Sequence, residues 1–281
     1  MAGTFLSDAP KLQMPVECTL GQDCYIQNYV DRDPSPGVRD AGCGRLTYDG
    51  HKGTDFALLT EAQMQAGVQV IAAAPGRVVA TRDGEPDGAY ASGQRVAGKE
   101  CGNGIVIDLG NGWLTQYCHL RDGSISVTRG DQVKAGDALG LVGQSGQAEF
   151  PHLHLSLRHD DMVIDPFAPD RQDACATNAT QTLWSAPITY RPSGWLDAGL
   201  TATVPRFEAV LAGAPLPPPR DTGRPPLLFL GLPLLMLRIP FMATVHFDTN
   251  ACLALVKEGH APFYRKIFRS TLLAGPKQFD V

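Results

Sequence analysis

An all-β fold, built as an antiparallel sheet or open barrel, is predicted for the centre of this chain by three features of its sequence. Between about Arg45 and Pro169 the apolar runs are short, as in VIAAAPGRVVAT, DQVKAGDALGLVG and HLHLSLR. Glycines punctuate them at Gly76, Gly136, Gly140 and Gly143, where turns or bulges are expected. No segment there carries a helix-length apolar period of 3.6 residues, apart from a weak candidate at Leu58 to Gln65.

Taken from the amino terminus, residues 1–44 form a cysteine-bearing arm whose stretch DRDPSPGVRDAGCG is rich in proline and aspartate and reads as loop. The segment MAGTFLSDAPKLQMP has neither the basic block nor the apolar core of a signal peptide, so export is not written in it. The β core is placed at residues 45–170. Within it, GIVIDLGNGWLTQYCHL sets Gly110-Asn111-Gly112 between two runs of strand formers, which predicts a hairpin. Residues 171–212 are mixed. Residues 213–225 (GAPLPPPRDTGRP) read as an extended linker and open a tail, residues 213–281, that lacks the core's glycine-turn pattern. In that tail Asp248 or Thr249 is placed to cap a short helix running through Lys257 and Glu258 to a stop at Gly259. The tail is either an appended module or a stretch read in another frame. Its most apolar part, Leu227 to Met242, contains Pro233, Arg238 and Pro240 and is shorter than the roughly 20 residues a membrane span needs.

Composition narrows the function. The chain has a formal net charge of −5 and no basic run, which argues against a nucleic-acid partner. Its seven cysteines, at positions 18, 24, 43, 101, 118, 175 and 252, form no C-x-x-C knuckles, so disulfides are favoured over a thiolate zinc site. Six lie in the first 175 residues and suggest an oxidising compartment, the periplasm or the exterior. Cys18 and Cys24 are the expected pair, the partners among Cys43, Cys101, Cys118 and Cys175 stay open, and Cys252 is expected to be unpaired.

Three pieces carry candidate chemistry: GHKGTDF with His51 and Asp55, QYCHL with His119, and PHLHL with His152 and His154. On a strand, His152 and His154 share one face while Leu153 and Leu155 enter the core. Imidazole and carboxylate suit zinc, and a hydrolytic zinc needs only three protein ligands, which leaves a position for water. Gly53 is expected to open a turn that folds the Asp55 carboxylate back toward His51. Five candidate groups for three ligand positions leave two to orient water and stabilise an oxyanion. A cysteine nucleophile at Cys118 is disfavoured, because alternation turns it away from His119 and into packing or a disulfide. Tyr117 either lines the groove beside His119 or is a packed aromatic, and His159, His246 and His260 read as structural or exposed.

H-x-x-x-D, a lone histidine at a strand end and then H-x-H, in that order, resemble the lysostaphin/LytM-type zinc metalloendopeptidases over roughly Tyr48 to Pro166. The hairpin-like GDQVKAGDALGLVG before H-x-H adds to the likeness. The resemblance implies one zinc held by His51, Asp55 and His154, catalytic roles for His119 and His152, and a peptidoglycan substrate cut by metal-activated water. The alternative it leaves is a silent wall-binding or amidase-activating domain of the same fold.

Overall fold

The structure, a computed structural model, describes residues 5–169, 182–191, 195–201 and 242–247. It is mostly antiparallel β-sheet, as the short glycine-bounded runs predict. In chain order the elements are β1 (Cys24–Asn28), β2 (Thr54–Leu58), α1 (Glu61–Ala66), β3 (Gln69–Ile71), β4 (Gly76–Arg82), β5 (Asn103–Gly110) and β6 (Trp113–Leu120). There follow β7 (Gln132–Val133), β8 (Ala138–Leu141), β9 (His152–His159), β10 (Met162–Ile164), β11 (Trp195–Thr201) and β12 (Met242–Phe247). The weak helical signal resolves as α1, capped by the Thr60 hydroxyl accepting from the Gln63 N–H and stopped at Gly67 with φ of 91°.

The large sheet runs β1-β2-β9-β6-β5-β4-β7, with β10 also paired to β9, and β3 pairs with β8 in a small second sheet. Its spine is β9. Leu153, Leu155 and Leu157 are almost fully buried on one face of that strand. Each such side chain contributes about 1.5–3 kcal/mol when taken from water, and a slip of one residue would expose all three. That burial fixes the opposite face, carrying His152 and His154, as the one turned away from the core. Tyr117 is fully buried on the core face, and its hydroxyl accepts the Ala73 N–H at 2.8 Å, which joins β6 to the segment after β3. Of the two readings open for Tyr117, the structure selects the packed aromatic.

The predicted hairpin is present. β5 and β6 are joined by Asn111 and Gly112, with φ of 51° and 80°, the left-handed pair that a two-residue turn matching strand twist requires. The aspartate-rich stretch of the arm is loop, as expected, and its aspartates order it. Asp31 accepts from the N–H groups of Asp33, Arg39 and Gly50, and Asp40 from those of Gly42, Gly44 and Leu46.

The arm is nonetheless part of the sheet. β1 pairs antiparallel with β2, and Leu12 and Val16 lie in the core. Residues 182–191 return to the same body: Leu12 and Trp184 form a parallel bridge, and the Tyr190 hydroxyl meets Asp40 at 3.2 Å. β11 and β12 pair with each other antiparallel. The linker, the apolar stretch up to Phe241 and the expected helix near Lys257 lie outside the described residues. Among the described residues no helix is long and apolar enough to cross a membrane.

Cys18–Cys24 is a disulfide, as expected, and Cys101 pairs with Cys118. Cys43 is disulfide-bonded as well. Cys175 and Cys252 lie outside the described residues.

Candidate metal centre

Neighbouring strands β2 and β9 place Asp55 directly opposite His154, and Ala57 opposite His152. His51 arrives from the loop before β2 and meets both. Its Nδ1 lies 2.7 Å from the Tyr29 carbonyl oxygen, which only accepts, so Nδ1 carries the proton and Nε2 presents a lone pair. That Nε2 is 3.2 Å from Asp55 Oδ1 and 3.1 Å from His154 Nδ1, and His154 Nδ1 is 2.8 Å from Asp55 Oδ1. The candidate ligand atoms of His51, Asp55 and His154 all lie within 4.8 Å of one another. Two imidazole nitrogens and a carboxylate pointed at one spot leave their lone pairs facing each other. A cation there relieves that repulsion, and two nitrogens with one carboxylate oxygen form a donor set that suits zinc.

Gly53 serves this cluster, though not through the turn expected of it. It is not among the positive-φ glycines, and a Cβ built on it would stand 2.6 Å from the His154 ring and from the Leu155 carbonyl. Close approach to His154, rather than a left-handed turn, is the reason for glycine here.

His119 and His152 complete the group. Their ring centroids are 4.6 Å apart, and His119 is 6.0 Å from His154. Each presents Nδ1 to a carbonyl oxygen, His119 to Ser145 at 2.8 Å and His152 to Phe150 at 2.7 Å, so in both Nδ1 carries the proton and Nε2 the lone pair. All five residues picked out by the sequence therefore meet. His159 instead stacks on Trp113 from the core face of β9, with ring centroids 4.5 Å apart, and His260 lies outside the described residues. His246 sits opposite Asp197 on β12.

The electrostatics follow from burial. Burial would by itself raise the Asp55 pKa, but the histidines around it, His51 first, hold the carboxyl well below its usual range. For His51, burial acts to depress the pKa and Asp55 outweighs it, leaving the group raised. His119 is driven well below an ordinary histidine, first by burial and then by His152 and His154; burial also lowers His154.

Sequence reasoning assigned no role to Asn28, Ser145 or Tyr48. Asn28, fully inside the arm, donates its amide to Asp55 Oδ2 at 3.1 Å and is 2% exposed. Tyr48 lays its ring 4.5 Å from that of His51. An asparagine in CYIQN has no local signal for such a role, because only the pairing of β1 with β2 brings it beside Asp55.

The sequence over this β core matches the profile of Peptidase family M23 across residues 49–166, which holds all five site residues. This stretch is an M23 peptidase domain of the LytM type. The M23 domain is 38% identical over 107 residues to "Peptidoglycan DD-endopeptidase ShyA" of Vibrio cholerae, an alignment covering 38% of this chain and 20% of that protein. It is 33% identical over 116 residues to "Cell division protein DipM" of Caulobacter vibrioides, covering 41% of this chain and 18% of the relative. The chain thus spans about a fifth of the curated relatives it matches. Among solved structures, a zinc-containing peptidase from Vibrio cholerae aligns with a TM-score of 0.39 at 25% identity, over 56% of this chain and 39% of that one. Residues 219–280 match a different profile, "N-acyl amino acid synthase FeeM".

Proposed function

We propose that the chain is a zinc-dependent endopeptidase that hydrolyses peptide cross-links of bacterial peptidoglycan, in the periplasm or outside the cell. The carrying observation is the convergence of His51, Asp55, His154, His119 and His152 from three separate segments on one face of the sheet. His51, Asp55 and His154 are assigned as ligands of a single zinc. Zinc held there supplies a Lewis acid that polarises a carbonyl and makes water nucleophilic near neutral pH.

The protein's own contribution is to orient the rest. Tyr29 and Asn28 aim the His51 ring and the Asp55 carboxylate. His119, kept neutral by its burial, holds a lone pair on Nε2 that can take a proton from water, while His152 Nε2 lies on the same side to receive or return one. The name of the first relative supports peptidoglycan as substrate, and a D-alanyl–diaminopimelate cross-link is the default bond. The disulfides support an oxidising compartment.

The test is digestion of purified cell-wall sacculi by the zinc-loaded chain, with released fragments identified by mass spectrometry. Conversion of cross-linked fragments to uncross-linked ones, abolished in His51→Ala, is expected. Zinc bound with no fragments released would sink the hydrolase reading in favour of a silent wall-binding or amidase-activating domain.

A further inference from the structure

His119 reaches the cluster through a break in its own strand. Cys118 stands opposite His154, so Cys118 shares the face of the candidate ligands, and regular alternation would send His119 to the core face with Tyr117. It does not go there. Ile105 pairs with Tyr117 and Asn103 with Leu120, so β6 carries one residue more than β5 over this span. That extra residue makes a bulge, a device that re-aims a side chain. His119 sits in it with φ of 64°, a left-handed conformation that a residue with a Cβ rarely adopts and that its surroundings must hold.

Those surroundings trace to one short piece of chain. The His119 N–H donates to the Cys101 carbonyl at 2.8 Å. Its ring is aimed by the Ser145 carbonyl, and Ser145 is gripped by the next two residues: its hydroxyl accepts the Asn103 N–H at 2.9 Å, and a Cβ on Gly102 would meet the Ser145 carbonyl carbon at 2.4 Å. Cys101–Gly102–Asn103 is the far end of the long β4–β5 loop, and the Cys101–Cys118 disulfide ties that end to the residue preceding His119. β5 makes room for the bridge. A Cβ on Gly104 would stand 2.7 Å from Cys101 Sγ.

We propose that the Cys101–Cys118 disulfide is a positioning element for His119, holding the bulge that turns its imidazole out of the core and toward His152 and His154. The function of His119 rests on the peptidase reading above; its placement does not. Without the bridge, Cys101 is free to leave the His119 N–H, and the strand relaxes toward regular alternation, which withdraws the ring from the cleft while His51, Asp55 and His154 stay where β2 and β9 put them.

The experiment uses the full chain carrying Cys101→Ser and Cys118→Ser together. Zinc content and KM for a cross-linked wall fragment should stay near wild type, while kcat falls by about 10²-fold, the scale for a displaced catalytic group. In a His119→Ala background the same cysteine substitutions should change kcat by less than about twofold, since groups acting as a unit are non-additive. In zinc-free protein, long-range 1H–15N NMR should show His119 as the Nδ1–H tautomer in wild type and lose that fixed signature in the variant. If that variant does not fold, the pair Cys101→Ala with Cys118→Val, which removes the same bridge and leaves Cys18–Cys24 and the Cys43 bridge in place, supplies the same readouts. An unchanged His119 signature with unchanged kcat overturns the proposal, as does a kcat loss fully additive with His119→Ala. Should wild type cleave no wall, the peptidase reading fails, and the NMR signature alone still decides where the disulfide holds the ring.

Discussion

Asp55 is the residue on which the cluster turns, since it meets His51, His154 and Asn28 and lies 3.9 Å from His152. The two histidines of PHLHL meet it differently. His154 Nδ1 is aimed at the carboxylate and at His51 Nε2, whereas His152 Nδ1 is spent on the Phe150 carbonyl. His154→Ala should therefore lose zinc steeply, because one of the three proposed ligands is gone and Asp55 is left with less to balance its charge. His152→Ala should keep zinc near one per chain while hydrolysis drops about 10²–10⁴-fold, the scale for a positioned proton-transfer group. Metal analysis beside a wall-digestion assay separates the two, and the reverse pattern would reverse the roles. At this scale the sequence is highly legible: ligand chemistry restricts the residue types, and H-x-H needs only a strand to put both rings on one side. Gly53 is legible as necessary but not for its reason, because a clash with His154, a hundred residues away, leaves no local trace.

The strands decide which of these residues can act together. Alternation along β9, anchored by its buried leucines, makes the shared face of His152 and His154 readable from sequence alone. The same rule misplaces His119, because a bulge is an added residue and period-two patterning has no place for it. It gives Cys118 the right fate, a disulfide, for a reason that holds only on a regular strand. β1 is hidden for a different cause: CYIQN is short, is followed at once by loop, and gains its meaning from pairing with β2. Its last residue makes a prediction for the element. Asn28→Ala removes the amide that steadies Asp55 Oδ2, and zinc affinity should fall about 10–100-fold, the usual range for a lost partner of a metal ligand. Titration of the zinc-free variant with a fluorescent chelator as competitor measures it. An affinity equal to wild type would show that β1 contributes only its edge to the sheet.

On the scale of the whole molecule, the arm and the returning segment close over the same core, and a buried acid records that closure. Asp165 lies 3.9 Å from Arg32 of the arm and takes the Phe167 N–H at 2.9 Å, yet burial pushes its pKa up to about 6. Because the folded value exceeds the unfolded one, its contribution to stability is intact below about pH 4 and is lost as pH rises through about 6. Asp165→Asn should gain stability over wild type across that window, by up to about 3 kcal/mol at neutral pH. Chemical denaturation of both proteins at pH 4 and pH 7 tests it, and a pH-independent difference would refute it.

The last prediction concerns how much of the chain the chemistry needs. Every site residue lies between Asn28 and His154, and the described segment 182–191, which packs on this body, ends where the Arg191 N–H meets the Tyr29 hydroxyl at 3.1 Å. Tyr29 in turn gives its carbonyl to His51, so removing this segment would reach the candidate metal centre in two steps. Beyond it, a proline-rich stretch leads to residues 219–280, whose sequence matches a family different from that of residues 49–166. A cut before residue 182 therefore risks the site, and one after about residue 212 should not. The chain ending at 212 should bind one zinc and release wall fragments at the rate of the full chain. A folded truncation that binds zinc but releases nothing would show that the tail builds part of the substrate groove, and one that loses zinc would show that it supports the ligands themselves.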